Sequence, residues 1–244
     1  MPWNRPVPGA GQFGPLASAD RKAAEEIRAR PQERPGLATR WGERRDAPVS
    51  FRSFTRASSK PAGTDAIWYN DRDGLEAMDG RTWKVEGSQQ AAGGLVEWGV
   101  KGRVAWLPAS KSSYWGGKRF VQGSKGGRYK LVVKNRCKSR LELVLSVDGL
   151  DVMDGKTASF RKRGYIVDPG ETLEVEGFRT SADAVAAFEF SGVGASYANL
   201  KHGDTRNVGV IGLAVFTEKG RDPWTWMPGE VEKRGSARAF AEEP

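Results

Sequence analysis

The residues best suited to chemistry are few. Cys137 is the only cysteine and His202 the only histidine among 244 residues, so counting alone excludes an internal disulfide, a cysteine-built zinc site and a paired-histidine metal site. Cys137 lies among Arg136, Lys138 and Arg140, a cationic setting of the kind in which reactive thiols are found. A nucleophilic thiol also needs a base, and no spacing ties it to His202. The stretch Gly149 to Thr157, GLDVMDGKT, looks like a phosphate-binding loop, but five residues separate its glycines and the Walker pattern is one shorter. The residues after it read as loop and strand, which leaves no helix N-terminus to hold a phosphate. Asp148, Asp151 and Asp154 recur every third residue, unlike the alternate ligands of an EF-hand, and Asn70 to Gly74 lacks the first ligand and the closing glutamate. Turn formation is the better explanation for both, with calcium as the alternative.

For hydrolysis by paired carboxylates the candidates are Asp148, Asp151, Glu171 and Asp183, yet nothing in their arrangement predicts a raised pKa. Thr180-Ser181-Ala182-Asp183 reads as a capping box opening a one-turn helix. The sequence thus points to no catalytic residue, no metal and no cofactor, and away from an enzyme.

What must position these residues is a set of strands. Tyr129, Leu131 and Val133 alternate with Lys130, Val132 and Lys134, and Leu141, Leu143, Leu145 and Val147 follow after a polar link. A hairpin is the simplest reading of the two. Short apolar segments continue at Val152, Tyr165, Leu173 and Phe188, separated by Gly, Pro, Asp and Ser. Val208 to Phe216 is apolar apart from Gly209 and Gly212, as expected of a central strand buried on both faces. Upstream, strands are expected at 66–69, 82–85, 95–100 and 103–107. The fold class expected is all-β: an antiparallel β-sandwich, jelly-roll-like, with a long extended N-terminal arm containing one short helix.

Several segments of this core carry a resemblance: Ser146-Val147-Asp148-Gly149-Leu150, Gly164-Tyr165-Ile166-Val167, Pro169-Gly170-Glu171, Gly177-Phe178-Arg179, Ala186-Ala187-Phe188 and Asn207 to Gly212. Together, over residues 129–216, they resemble a family of uncharacterised bacterial β-sandwich proteins, often exported. The resemblance implies the fold and a bacterial or phage ancestry, and no catalytic role. Members of that family usually begin with a signal peptide, where this chain has a Pro- and Arg-rich stretch.

The remaining organisation follows from composition. At 38% apolar residues the chain supports one core better than two, which suggests an arm over residues 1–64, a sandwich over 65–220, and an aromatic patch with a charged tail over 221–244. The arm is rich in proline and arginine, and its one helical candidate is Ser18 to Arg30, capped by Ser18 and stopped by Pro31. Trp41, Phe51 and Phe54 in the arm, and Trp224 and Trp226 in the patch, are spaced anchors of the kind that dock on a partner. No apolar run reaches the length of a membrane span, and no signal peptide is visible. The expectation is a non-enzymatic structural or interaction protein whose arm packs on neighbouring subunits, in a virion or another bacterial particle. The alternative is an envelope or periplasmic module binding glycan or anionic polymer through a tryptophan-rich, basic surface. Trp68, Trp83, Trp98, Trp106 and Trp115 read first as core and edge packing.

The charge balance is uneven. Net charge is +9, which favours polyanionic partners. Between Glu97 and Glu142 there is no acidic residue, while lysines and arginines recur throughout. Lys118, Arg119, Lys125 and Arg128, interleaved with Trp115, Phe120 and Tyr129, give the basic-plus-aromatic pattern of surfaces that hold nucleic acid. The competing reading splits these charges between strand edges.

Overall fold

Period-two alternation builds both halves of the core. The computed structural model describes residues 34–47, 52–78 and 82–238; the helix expected at Ser18 to Arg30, and Phe51, lie outside them. In chain order the strands are β1 (Leu37–Asp46), β2 (Gly63–Asn70), β3 (Thr82–Val85), β4 (Ser88–Ala91), β5 (Val96–Lys101), β6 (Ala109–Ser112), β7 (Lys118–Gln122), β8 (Arg128–Asn135), β9 (Leu141–Val147), β10 (Leu150–Asp151), β11 (Tyr165–Val167), β12 (Thr172–Val175), β13 (Gly177–Arg179), β14 (Ala184–Gly192) and β15 (Val210–Thr217). The helices are α1 (Arg72–Ala77), α2 (Tyr197–His202) and α3 (Pro228–Gly235).

One sheet runs β1-β14-β8-β5-β4 and the other β10-β9-β15-β2-β7-β6-β3, with β12, β13 and β11 joined at their sides. Every second residue of the central strands faces the partner sheet: Tyr129, Leu131 and Val133 from β8, Leu143 and Leu145 from β9, Ile211 and Leu213 from β15. The all-β sandwich is therefore the fold, and the only parallel pair among the described residues is β2 with β7. The central placement expected for the last apolar strand holds, since β15 pairs with both β9 and β2.

Five expectations need correcting. β8 and β9 are not a hairpin, because they lie in different sheets. The link between them turns a corner around Asn135, whose amide nitrogen donates to the carbonyls of Ser139, Val167 and Asp168 and whose Oδ1 accepts from Cys137 N. Both strands bury a full apolar face, and crossing sheets lets those faces meet. The arm reading fails over residues 37–46, since β1 pairs with β14 through eight register positions. Leu37, Ala38 and Thr39 are buried there, an apolar start that the surrounding arginines obscure. Thr180 to Asp183 forms the turn of the β13–β14 hairpin, with Thr180 N and Ser181 N both donating to the Ala184 carbonyl. Finally, 103–107 is a turn with a single bridge, Lys101 to Trp106, and 228–235, read as tail, is α3, which opens on Pro228.

One junction shapes the outer surface. β8 pairs with β14 only at Tyr129 and Arg128, then with β12 from Leu131 to Lys134. The chain passes from β12 to β13 through Glu176, whose carbonyl accepts from Phe188 N at 2.8 Å, and so leaves β8 for β14. Gly177 allows the change of partner, because a Cβ there would collide with the Ala186 carbonyl. Gly177→Ala should lower unfolding free energy by about 1–3 kcal/mol in urea titration. Gly229→Ala, with open space around it, should be neutral or gain roughly 0.5–1 kcal/mol. Equal midpoints for the two variants would show that the junction tolerates bulk.

Candidate interaction surfaces

The outer face of the first sheet is built by the same alternation that fills the core. Tyr129 points inward, stacked on Phe190 at 4.3 Å and Phe188 at 5.2 Å, so Arg128 and Lys130 point outward. On β1, Arg40 lies opposite Glu189, and a bulge between Trp41 and Arg44 places Arg45 opposite Val185. Paired residues share a face, so the bulge moves the outward position from even to odd numbers and brings Arg45 beside Arg40. These side chains border a groove of about 1120 Å³ that Arg103 closes from the turn after β5. Ser124, Gly126, Gly127 and Ala187 keep its floor low.

Acids from distant segments neutralise much of the basic strip. Glu43 meets Arg128 at 2.8 Å and Glu97 meets Arg136 at 2.7 Å. Glu174 pairs with Lys130 and Glu218 with Arg140, while Arg40 and Arg45 are held by Glu189 and Glu176. Lys101, Arg103, Lys118, Lys125 and Lys134 form no ion pair among the described residues.

The quartet Lys118, Arg119, Lys125 and Arg128 does not make one surface. Lys118 and Arg119 are neighbours on β7 and face opposite ways. The Lys118 ammonium lies over the rings of Trp68 at 4.5 Å and Trp115 at 5.6 Å. Arg119 is only 4% exposed, sits over the Trp98 ring at 5.1 Å, donates to the Trp98 carbonyl at 3.2 Å and faces Asp65 at 3.5 Å. Burial holds its pKa below the usual arginine value, against the opposing charge of Asp65. Arg119 is thus a core residue. Arg128 lines the groove, and Lys125 is exposed in the turn just before Gly126.

The anchors are distributed. Trp41 stacks on Tyr197 at 4.4 Å and stays 43% exposed. Phe54 is partly buried under the Arg140 guanidinium. Trp224 leans on Gly93, and Trp226, in a left-handed backbone conformation, packs only loosely, with Arg234 above it. Trp83, Trp106 and Trp115 are also exposed, whereas Trp98 is fully buried. Core packing therefore accounts for few of the tryptophans. No protein-family model, curated protein or solved structure matches the chain.

The groups singled out for chemistry all make structural contacts. Cys137 Sγ donates to Asn135 Oδ1 and the Ser139 carbonyl at the sheet corner, whereas His202 ends α2 against the Gly155 carbonyl. Asp148 and Gly149, both at positive φ, form the two-residue turn between β9 and β10. The Asp148 carboxylate is buried and accepts from the Tyr69 hydroxyl at 2.6 Å, Thr39 N at 2.8 Å and Gly209 N at 2.9 Å. Thr39 Oγ1 lies 2.6 Å from the Tyr129 hydroxyl and 2.8 Å from that of Tyr69. Burial pushes the Asp148 carboxyl up to about 6, against these hydrogen bonds, and burial with the Asp148 charge raises both phenols well above their usual range. Asp151 is buried and raised for the same reason, while Asp154 is tied to Lys162. No group of three His, Cys, Asp or Glu side chains could hold a metal among the described residues.

Proposed function

We propose that the protein is a non-enzymatic interaction subunit, a β-sandwich that joins neighbouring chains in a larger assembly such as a virion or another bacterial particle. The observation that carries this reading is the exposure of tryptophan at separate sites. Trp41 lies on β1, at one edge of the first sheet, while Trp224 leans on the turn that follows β4, at the other edge. Trp83 lies on the edge strand of the second sheet. Large aromatic surface left in water destabilises nothing it touches but gains when covered, and a tryptophan is a common interface anchor. Several such sites suit several neighbours better than one ligand. Residues 1–33, rich in proline and arginine, are the segment expected to reach a neighbour in this reading.

Native mass measurement tests the reading. Assembly should give species heavier than the 26.7 kDa chain. The double variant Trp224→Ala/Trp226→Ala should weaken association by about thirtyfold or more, the effect of losing about 2 kcal/mol at an aromatic anchor. A chain that remains at 26.7 kDa at every concentration reached counts against the proposal.

A further inference from the structure

We infer that the outer groove of the first sheet binds the phosphate backbone of a nucleic acid strand, independently of any assembly role. Five basic side chains line it; among the described residues four of them, Arg40, Arg45, Arg128 and Lys130, pair with Glu189, Glu176, Glu43 and Glu174, and Arg103 does not. The ion pairs do not exhaust the arginines. A guanidinium has five N–H donors in a fixed plane, and Glu176 and Glu43 each take one Nη of Arg45 and Arg128. Glu189 takes Nε and Nη2 of Arg40 and leaves Nη1. The three side chains remain about half-exposed, so each is oriented by its glutamate with further donors turned to solvent. Such a fork matches phosphate oxygens better than a lysine ammonium does.

Arg103 has no acidic partner among the described residues and stands across the groove from this row. Between them the floor is open: a Cβ added at Gly126 would meet nothing nearer than a glutamate oxygen at 4.0 Å. A polymer backbone can therefore come close.

Two features favour nucleic acid over an acidic protein. The large aromatic side chains in the floor, Tyr129 and Phe190, are buried, which leaves no exposed aromatic anchor of the kind protein interfaces centre on. The exposed tryptophans Trp41, Trp224 and Trp226 are not part of the lining. Recognition here would act through charge and guanidinium geometry alone, without reading bases.

The test is fluorescence anisotropy of a labelled oligothymidylate with the full chain across a salt series. Binding should weaken steeply with salt, and Arg103→Ala should make the log–log slope shallower by about one. Arg103→Glu should reduce affinity about tenfold or more. Lys138→Glu, the same charge change beyond the opposite end of β8, should alter it by less than about twofold, since exposed charges farther away than the Debye length are screened. Residues 1–33 carry arginines of their own, so the contrast between these two variants is what locates the site. Arg103 is exposed in a turn, and matched thermal melts will confirm that its variants fold. Equal losses in both variants, or no binding at low salt, overturn the inference. Competition by polyglutamate as strong as by unlabelled oligothymidylate would replace the nucleic acid with an acidic polypeptide.

Discussion

Asp148→Ala should be among the most destabilising single substitutions in the chain, lowering unfolding free energy by about 3–5 kcal/mol. The change leaves the Tyr69 hydroxyl, Thr39 N and Gly209 N without their acceptor; the first two are buried and the third is partly buried. An orphaned buried donor costs roughly 1–3 kcal/mol. The loss has a location as well as a size. Thr39 belongs to β1, so the carboxylate fastens the edge strand to β2 and to the start of β15. Amide exchange in the variant should accelerate first along Leu37 to Trp41. A urea midpoint close to that of the wild type would mean that the network contributes nothing net.

The same residue sets a pH dependence. Its carboxyl is raised from the ordinary value near 3.8 to about 6 because it is buried, so the folded state binds a proton more tightly than the unfolded chain. The stability gained by protonation is fully present below about pH 4 and is lost as pH rises through about 6. A two-unit shift corresponds to about 3 kcal/mol. Between pH 7 and pH 4 the deficit of Asp148→Ala relative to wild type should therefore widen by an amount of that order. Taking the difference between the two proteins cancels the other titrating groups, and a flat difference would refute the shift.

Much of the fold was legible, and the site only in part, for physical reasons that particular residues make plain. Alternation in 129–133 and 141–147, and the continuous apolar run of 208–216, report burial directly, because these strands form the core. Which sheet a strand joins depends on the corner at Asn135, and a polar link looks alike whether it closes a hairpin or crosses between sheets. The groove cations Arg40 and Arg45 were hidden inside a stretch of arginines, where a bulge decides which of them faces outward. The strip without acids was real in sequence, but Glu43, Glu174 and Glu218 reach it through register, which composition does not contain. Asp148 showed only a turn signature, since its partners Thr39 and Tyr69 are 109 and 79 residues away in the chain.

Arg119 is the sharpest case, and its sequence signal was ambiguous: it shares strand parity with Val121, and Lys118 shares parity with Phe120, both buried. Its burial predicts an asymmetry. Asp65→Ala should lower stability by about 3 kcal/mol, because Trp98 Nε1 loses an acceptor at 2.6 Å and the guanidinium is left without a counter-charge. The value falls at the lower end of that for broken buried pairs because the Asp65 side chain is 35% exposed while that of Arg119 is only 4% exposed. Arg119→Met should be milder, since Asp65 can turn to water and keeps its bond to Trp98, and methionine can fill the space over the indole. Placing Arg119→Met in the Asp65→Ala background should recover stability, because the unpaired cation is gone. Denaturant titration of the four proteins yields the coupling energy. If Arg119→Met proves as damaging as Asp65→Ala, and the double variant is no better than either, buried charge is not the cause. Arg119→Met should also leave oligothymidylate binding unchanged, because a guanidinium enclosed between Trp98 and Asp65 cannot reach a phosphate on the outer face.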